Sequence, residues 1–219
     1  MKKYVFGLAF WLAFVSVSCS SDDSNSQTED PFFNINVGSK WVYRNYYSWN
    51  DTPQAFAEGA LDTVAITGTQ VVQGLTFAVK TVRQGGNTIR ETLVRVNNQG
   101  HLVEIWPSDT LETVTETTGL VLHPGTDSNY SYTYPAILVS DIGDIVNQLV
   151  PPATITVENN DYFAYFFQGT FTPNVEGPEF FTKTFGDHYA PGIGMIKSVN
   201  KAISGTGTYE RRLISYDLQ

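Results

Sequence analysis

Residues able to do chemistry are few in this chain, and they are scattered. Histidines stand at 101, 123 and 188. Zinc ligands usually arrive in close-spaced pairs, and no such pair occurs, so no metal and no cofactor are expected. Asp187-His188 is the most chemical-looking neighbour pair. A carboxylate beside an imidazole could ligate an ion or move a proton, although a surface turn is the plainer explanation. Glu104, Glu158, Glu179 and Asp187 are acids that a glycoside hydrolase could use as a pair. Nothing in the sequence says which two would meet. The nucleophile elbow, the zinc-protease helix motif, the P-loop and the dinucleotide loop are all absent. Ile203-Ser-Gly-Thr-Gly-Thr208 has two glycines but runs into a strand and reads as a turn. The acids from Asp22 to Asp30 lack the glycine and terminal glutamate of a calcium loop. The expectation is a protein that is not an enzyme.

The elements that must carry any site are strands. Thr, Val, Tyr and Phe dominate, with 14 Phe, 12 Tyr and 4 Trp in 219 residues. Trp41, Tyr43 and Tyr47 alternate onto one face, with Arg44 on the other. Leu75, Phe77 and Val79 do the same against Thr76 and Lys80. Further strands are expected at 61–67, 88–97, 101–106, 129–134, 154–158, 162–171, 180–185, 193–199 and 206–217. Gly- and Asn-rich turns such as Gln84-Gly-Gly-Asn87 and Asn159-Asn-Asp161 separate them. One segment reads differently. Ile142, Ile145, Val146 and Leu149 fall at i, i+3, i+4 and i+7, with Ser140 or Asp141 as a cap and Pro151-Pro152 as a stop, which predicts a short helix. The fold class expected is mainly β: a curved antiparallel sheet or half-open β-barrel with one short covering helix.

In Tyr162-Phe-Ala-Tyr-Phe-Phe-Gln168, Phe163, Tyr165 and Phe167 share one face, and Tyr162 and Phe166 the other. Both faces are core, or one is an open binding platform.

The formal charge is −9, and residues 1–18 contain two lysines, so the remainder is more acidic still. Such a body repels phosphate backbones, and no nucleic-acid partner is expected.

The N-terminus gives an address. Met1-Lys2-Lys3 precedes an apolar run from Tyr4 to Val17, a signal-peptide pattern too short for a bilayer span of about 20 residues. Cys19 is the single cysteine, so no internal disulfide can form. Val17-Ser18-Cys19 resembles a bacterial lipobox, in which the cysteine thiol is acylated and becomes the first mature residue; Ser16 departs from the usual Leu or Val. Residues 19–31 are acidic and serine-rich and read as a disordered tether. Ser21-Asp22-Asp23 resembles the surface-export signal of Bacteroidetes lipoproteins. That resemblance implies the outer face of the outer membrane, with the periplasmic face as the alternative. Residues 32–219 are expected to form a single antiparallel β domain. Asp62-Thr63-Val64 and Asp109-Thr110-Leu111 resemble O-glycosylation acceptors of the same group.

Gly38-Ser-Lys-Trp41-Val-Tyr43, with the late Tyr189-Ala-Pro-Gly-Ile-Gly-Met-Ile-Lys197 and Tyr209–Tyr216, resembles uncharacterised Bacteroidetes-type outer-membrane lipoproteins with a closing hairpin. The resemblance implies a half-open barrel like that of periplasmic lipoprotein carriers, and it brings no catalytic residues.

Two functions follow as expectations. The first is a binding module for an apolar ligand, lined by Trp41, Tyr43, Phe77, Phe163, Tyr165 and Phe167, with Ile142, Ile145, Val146 and Leu149 as lid. The second is a surface scaffold, or a glycan- or partner-binding subunit of an outer-membrane complex. Either would hold to the membrane through lipid on Cys19.

Overall fold

The computed structural model describes residues 31–49, 56–107, 113–133, 142–178 and 180–219. Cys19, the signal segment, the rest of the tether before Pro31, Asp109-Thr110-Leu111 and Glu179 lie outside them.

Twelve strands form one antiparallel sheet: β1 Lys40–Ser48, β2 Ala57–Val72, β3 Leu75–Gln84, β4 Asn87–Val96, β5 Leu102–Ile105, β6 Leu120–His123, β7 Ser131–Thr133, β8 Gly143–Val157, β9 Asn160–Pro173, β10 Lys183–Ala190, β11 Gly194–Lys201 and β12 Thr208–Asp217. The spatial order is β6-β5-β4-β3-β2-β1-β12-β11-β10-β9-β8-β7. Two six-stranded meanders are thus joined where the first strand pairs with the last, Trp41 opposite Tyr216. The sheet edges β6 and β7 are consecutive in sequence, so residues 124–130 tie the two ends of the sheet together.

That connection bends the sheet. His123 Nε2 lies 3.3 Å from the Tyr165 carbonyl of β9, and the rings of Tyr130 and Phe167 are 5.8 Å apart. The curved sheet therefore brings its ends into contact without pairing them among the described residues. Phe33, ahead of β1, plugs the interior against Tyr189, and the carbonyl of Phe32 accepts from Gly192 N–H.

The main core lies on the concave side and takes residues from both meanders, including Trp41, Val64, Ile66, Val94, Ile196 and Leu213. A smaller core, Phe77, Leu93, Ile105 and Val114, is a separate cluster made by β3–β5 and the 113–119 segment. Central strands buried on both faces lose clean period-two patterning.

The helix expected over 141–149 is not formed: Gly143–Val157 is strand, and Asp141 lies outside the described residues. Thirteen register pairs with β9 hold it, from Gly143 opposite Pro173 to Val157 opposite Asn160. Ile145 is buried and Val146 exposed, as alternation in a strand requires. Pro151-Pro152 stops nothing, because the register shift between Val150 and Ala153 absorbs both residues. Beyond Gln148 the other side of β8 is unpaired by β7, so the missing proline N–H groups break no ladder there.

Candidate functional site

Inward-facing positions of β1–β6 and β10–β12, with the 33–35 segment, line a half-open cavity of about 470 Å³. Small-molecule sites are commonly about 300–1,000 Å³. Part of its wall is apolar: Phe33, Trp41, Val64, Ile66, Val82 and Leu102. Trp41 Nε1 donates to the Ile193 carbonyl at 2.7 Å and Tyr43 OH to the Met195 carbonyl at 2.8 Å. With their polar tips satisfied by backbone, both rings serve the cavity as apolar surface.

The rest of the wall is ionic. Arg211 Nη2 donates to Asp62 Oδ2, which Gln84 supports through Oδ1 at 2.9 Å. Glu104 is shared by Lys80 at 2.5 Å and Arg90 at 2.9 Å, and Thr92 donates to it at 2.6 Å. Burial works against ionised Glu104, but Lys80, Thr92 and Arg90 together hold its carboxyl below the usual range. Burial pulls the Lys80 ammonium down despite Glu104. Burial pushes the Asp187 carboxyl up, against a hydrogen bond with Ser198 and the charges of Lys80 and Arg211. Asp62, Lys80, Arg90, Asp187 and Arg211 line the cavity, and the buried Glu104 joins Lys80 to Arg90 without lining it.

Of the expected lining residues, Trp41 and Tyr43 face the cavity. The others lie elsewhere. Phe77 is fully buried in the second core. Phe163 is exposed. Tyr165 is half-buried beside Phe32, and Phe167 packs on His123 and Tyr130. In β9 the inward positions are Tyr162 and Ala164, which join the main core. Tyr47 keeps to the Trp41–Tyr43 face, opposite the cavity-lining Tyr209 with ring centroids 5.1 Å apart, but near the end of β1 it is 41% exposed; Tyr46, on the Arg44 face, is buried under Arg212. The expected lid is strand, and Ile142, Ile145, Val146 and Leu149 are not in the cavity wall.

The ionic residues are what sequence reasoning missed, and a signal for them existed. Asp62 alternates with Val64 and Ile66, Lys80 with Ala78 and Val82, and Arg211 with Leu213. A charge in phase with the apolar face of its own strand is an inward charge.

Asp187 and His188 occupy β10, not a turn, and adjacent strand residues point to opposite faces. Asp187 lines the cavity, while His188 stacks on Phe166 with centroids 4.0 Å apart. They are not an acid–base pair. Of the acids considered for hydrolysis, Glu158 accepts from Tyr46 OH at 2.6 Å in the β8–β9 turn. The charge of Glu104 does act on Asp187, but Glu104 Oε1 is already occupied by Lys80, Thr92 and Arg90. A nucleophile or base needs a free lone pair. Thr63 sits mid-strand in β2, paired with Val42 and Arg83, and its neighbour Asp62 is committed to Arg211.

No family model matches the sequence, and no curated protein sequence does. Two solved structures resemble it. One, from Bacteroides fragilis, is described as an exported protein with YmcC-like fold. It has 12% identity and a TM-score of 0.45 over 85% of this chain and 98% of that one. The other, from Parabacteroides distasonis, is described as a lipoprotein, with 9% identity and a TM-score of 0.40 over 87% of this chain and all of that one. Likenesses this distant transfer no role.

Proposed function

We propose that this chain is a membrane-anchored bacterial lipoprotein, exported to the outer membrane and displayed at the cell surface, whose curved sheet is a non-catalytic binding module for a small molecule with an apolar body. The observation that carries the binding reading is the cavity of about 470 Å³ on the concave face, walled by Trp41, Tyr43, Val64 and Ile66. A concave space of this volume, with an apolar wall and a few placed polar groups, is the form that small-molecule sites take. The anchor reading rests on Cys19 and its flanks.

Native mass spectrometry of the full chain carrying Cys19→Ser, purified without detergent, tests the module. A bound species of a few hundred daltons supports it; a clean apo mass, with an empty solvent extract, counts against it. For the anchor, Cys19→Ala should abolish membrane sedimentation and acyl labelling. Retention of both would refute it.

A second reading has its own observation. Trp49 is 81% exposed, and with Tyr47 and Tyr209 it borders an open groove of about 310 Å³. Exposed aromatics of this kind stack on sugars or on a partner protein. Trp49→Ala would then weaken glycan or partner capture by intact cells without touching the interior cavity.

A further inference from the structure

We infer that the interior cavity selects an amphiphile with a carboxylate headgroup, its apolar body on the Trp41–Ile66 wall and its carboxylate between Lys80 and Arg211; this rests on the binding reading above. A purely apolar ligand would need an apolar wall throughout. Here Lys80, Arg90, Arg211, Asp62 and Asp187 all line the same cavity as Trp41 and Val64. An apolar ligand over that wall would strip water from the charges and return no hydrogen bonds.

Charge supply favours an anion. Glu104 alone serves two cations, Lys80 and Arg90, while Asp62 serves Arg211. One cationic charge is therefore left over, and Asp187 is the acid placed to meet it. Burial pushes the Asp187 carboxyl up, so it is the weakest of the three acids as a counter-charge, and it is the one for which no ion pair is formed among the described residues. Donor supply points the same way. Among the described residues, the Arg211 guanidinium finds its protein acceptor in Asp62 through Nη2, and the Lys80 ammonium finds its own in Glu104. An Arg offers five N–H donors and a Lys three, so unspent donors remain on both cavity-lining side chains. Lys80, Arg211 and Asp187 all line the same cavity. A carboxylate there would accept from the unspent donors of Lys80 and Arg211, among them the buried, unpartnered Nε of Arg211. A phosphate dianion would bring two charges against one left over, and an ammonium head would meet like charge.

The test uses the full chain carrying Cys19→Ser, free of detergent, titrated calorimetrically with dodecanoate, dodecan-1-ol and dodecyltrimethylammonium below their aggregation limits. Dodecanoate should bind roughly tenfold or more tighter than dodecan-1-ol, as charge-assisted hydrogen bonds predict. Dodecyltrimethylammonium should show no detectable binding. Arg211→Gln should remove most of the dodecanoate preference. Because that change strands Asp62, the paired variant Asp62→Asn/Arg211→Gln is the folded control: it should keep dodecan-1-ol binding and lose the preference. Equal affinity for dodecanoate and dodecan-1-ol, or tighter binding of the cation, overturns the headgroup inference and leaves the binding module standing. Binding of none of the three overturns both.

Discussion

The indole N–H of Trp41 donates to the carbonyl of Ile193 at 2.7 Å, across 152 residues of chain. This bond ties the first strand to the β10–β11 hairpin and joins the two sequence stretches whose composition stands out, Gly38–Tyr43 and Tyr189–Lys197. Gly194 has φ +108°, and a Cβ there would sit 3.5 Å from Trp41 Nε1. The glycine supplies a backbone geometry that L side chains rarely adopt, right beside the indole.

Trp41→Phe should therefore cost more than its lost volume. The Ile193 carbonyl loses its donor in the interior, and a gap opens in the cavity wall. Together these should destabilise by about 2–4 kcal/mol. Urea unfolding followed by circular dichroism would show a lower midpoint at unchanged slope. A midpoint within error of the parent would mean that the bond contributes nothing to holding the hairpin.

Gly143 tests the strand that sequence periodicity reads as a helix. In a helix, Gly→Ala stabilises by about 1 kcal/mol. In β8 a Cβ at this position would lie 2.4 Å from the Thr172 carbonyl oxygen and 2.5 Å from the Phe171 ring. Phe171 is fully buried and cannot move aside. Gly143→Ala should lower stability, and a rise in the thermal midpoint would favour helix over 141–149.

The same segment shows what was legible and why. The hairpins of the C-terminal half were readable because Gly and Asn mark their turns, and Glu158 and Asn159 do adopt positive φ, 49° and 67°. The segment at 142–149 misled because Val146 is an apolar residue on the exposed face of the strand, which completes a helical spacing that marks no buried stripe. Pairing with β9 decided the matter, and that information is 20 or so residues away in sequence. The cavity was half legible. Trp41 and Tyr43 announce themselves as aromatic and in phase. Phe163 and Phe77 were equally aromatic, but nothing local says which face of a strand is concave. The charged part of the wall was hidden because strand charges mostly face solvent, and only the pairing of β1–β3 with β12 turns Asp62, Lys80 and Arg211 toward one interior.

Lys183 is buried beneath the 202–207 loop, with Nζ donating to the carbonyls of Ala202 and Ile203 at 2.7 Å and Gly205 at 2.5 Å. Three converging carbonyls suit an ammonium's three donors better than a planar guanidinium. Lys183→Met should strand them and cost about 2–5 kcal/mol. Lys183→Arg should not restore the loss. Hydrogen exchange in 202–207 should quicken in both variants, and unchanged protection would show that the loop holds itself.

His123 sets a pH dependence whose sign follows from its contacts. Gly125 N–H donates to Nδ1 at 3.1 Å, so Nε2 carries the proton and faces the Tyr165 carbonyl at 3.3 Å. Protonating Nδ1 would destroy the first bond. Burial lowers the ring pKa to about 3, against the Tyr165 bond. In the unfolded chain it returns to its ordinary value of about 6.5. Between those values the unfolded state binds the proton and the folded state does not, so stability falls as pH drops through that window, by up to about 1.4 kcal/mol per pH unit. His188, lowered by burial to about 4, adds in the same direction, less strongly because it is partly exposed. Asp187 acts oppositely, since its raised pKa makes the fold bind the proton more readily than the unfolded chain. Urea midpoints at pH 7.0, 6.0 and 5.0, in an Asp187→Asn background, should therefore decline with acid. His123→Phe keeps a ring on Phe32 and should flatten that decline, whatever it does to stability at pH 7. A slope unchanged by His123→Phe would mean that the ring already titrates freely in the folded protein.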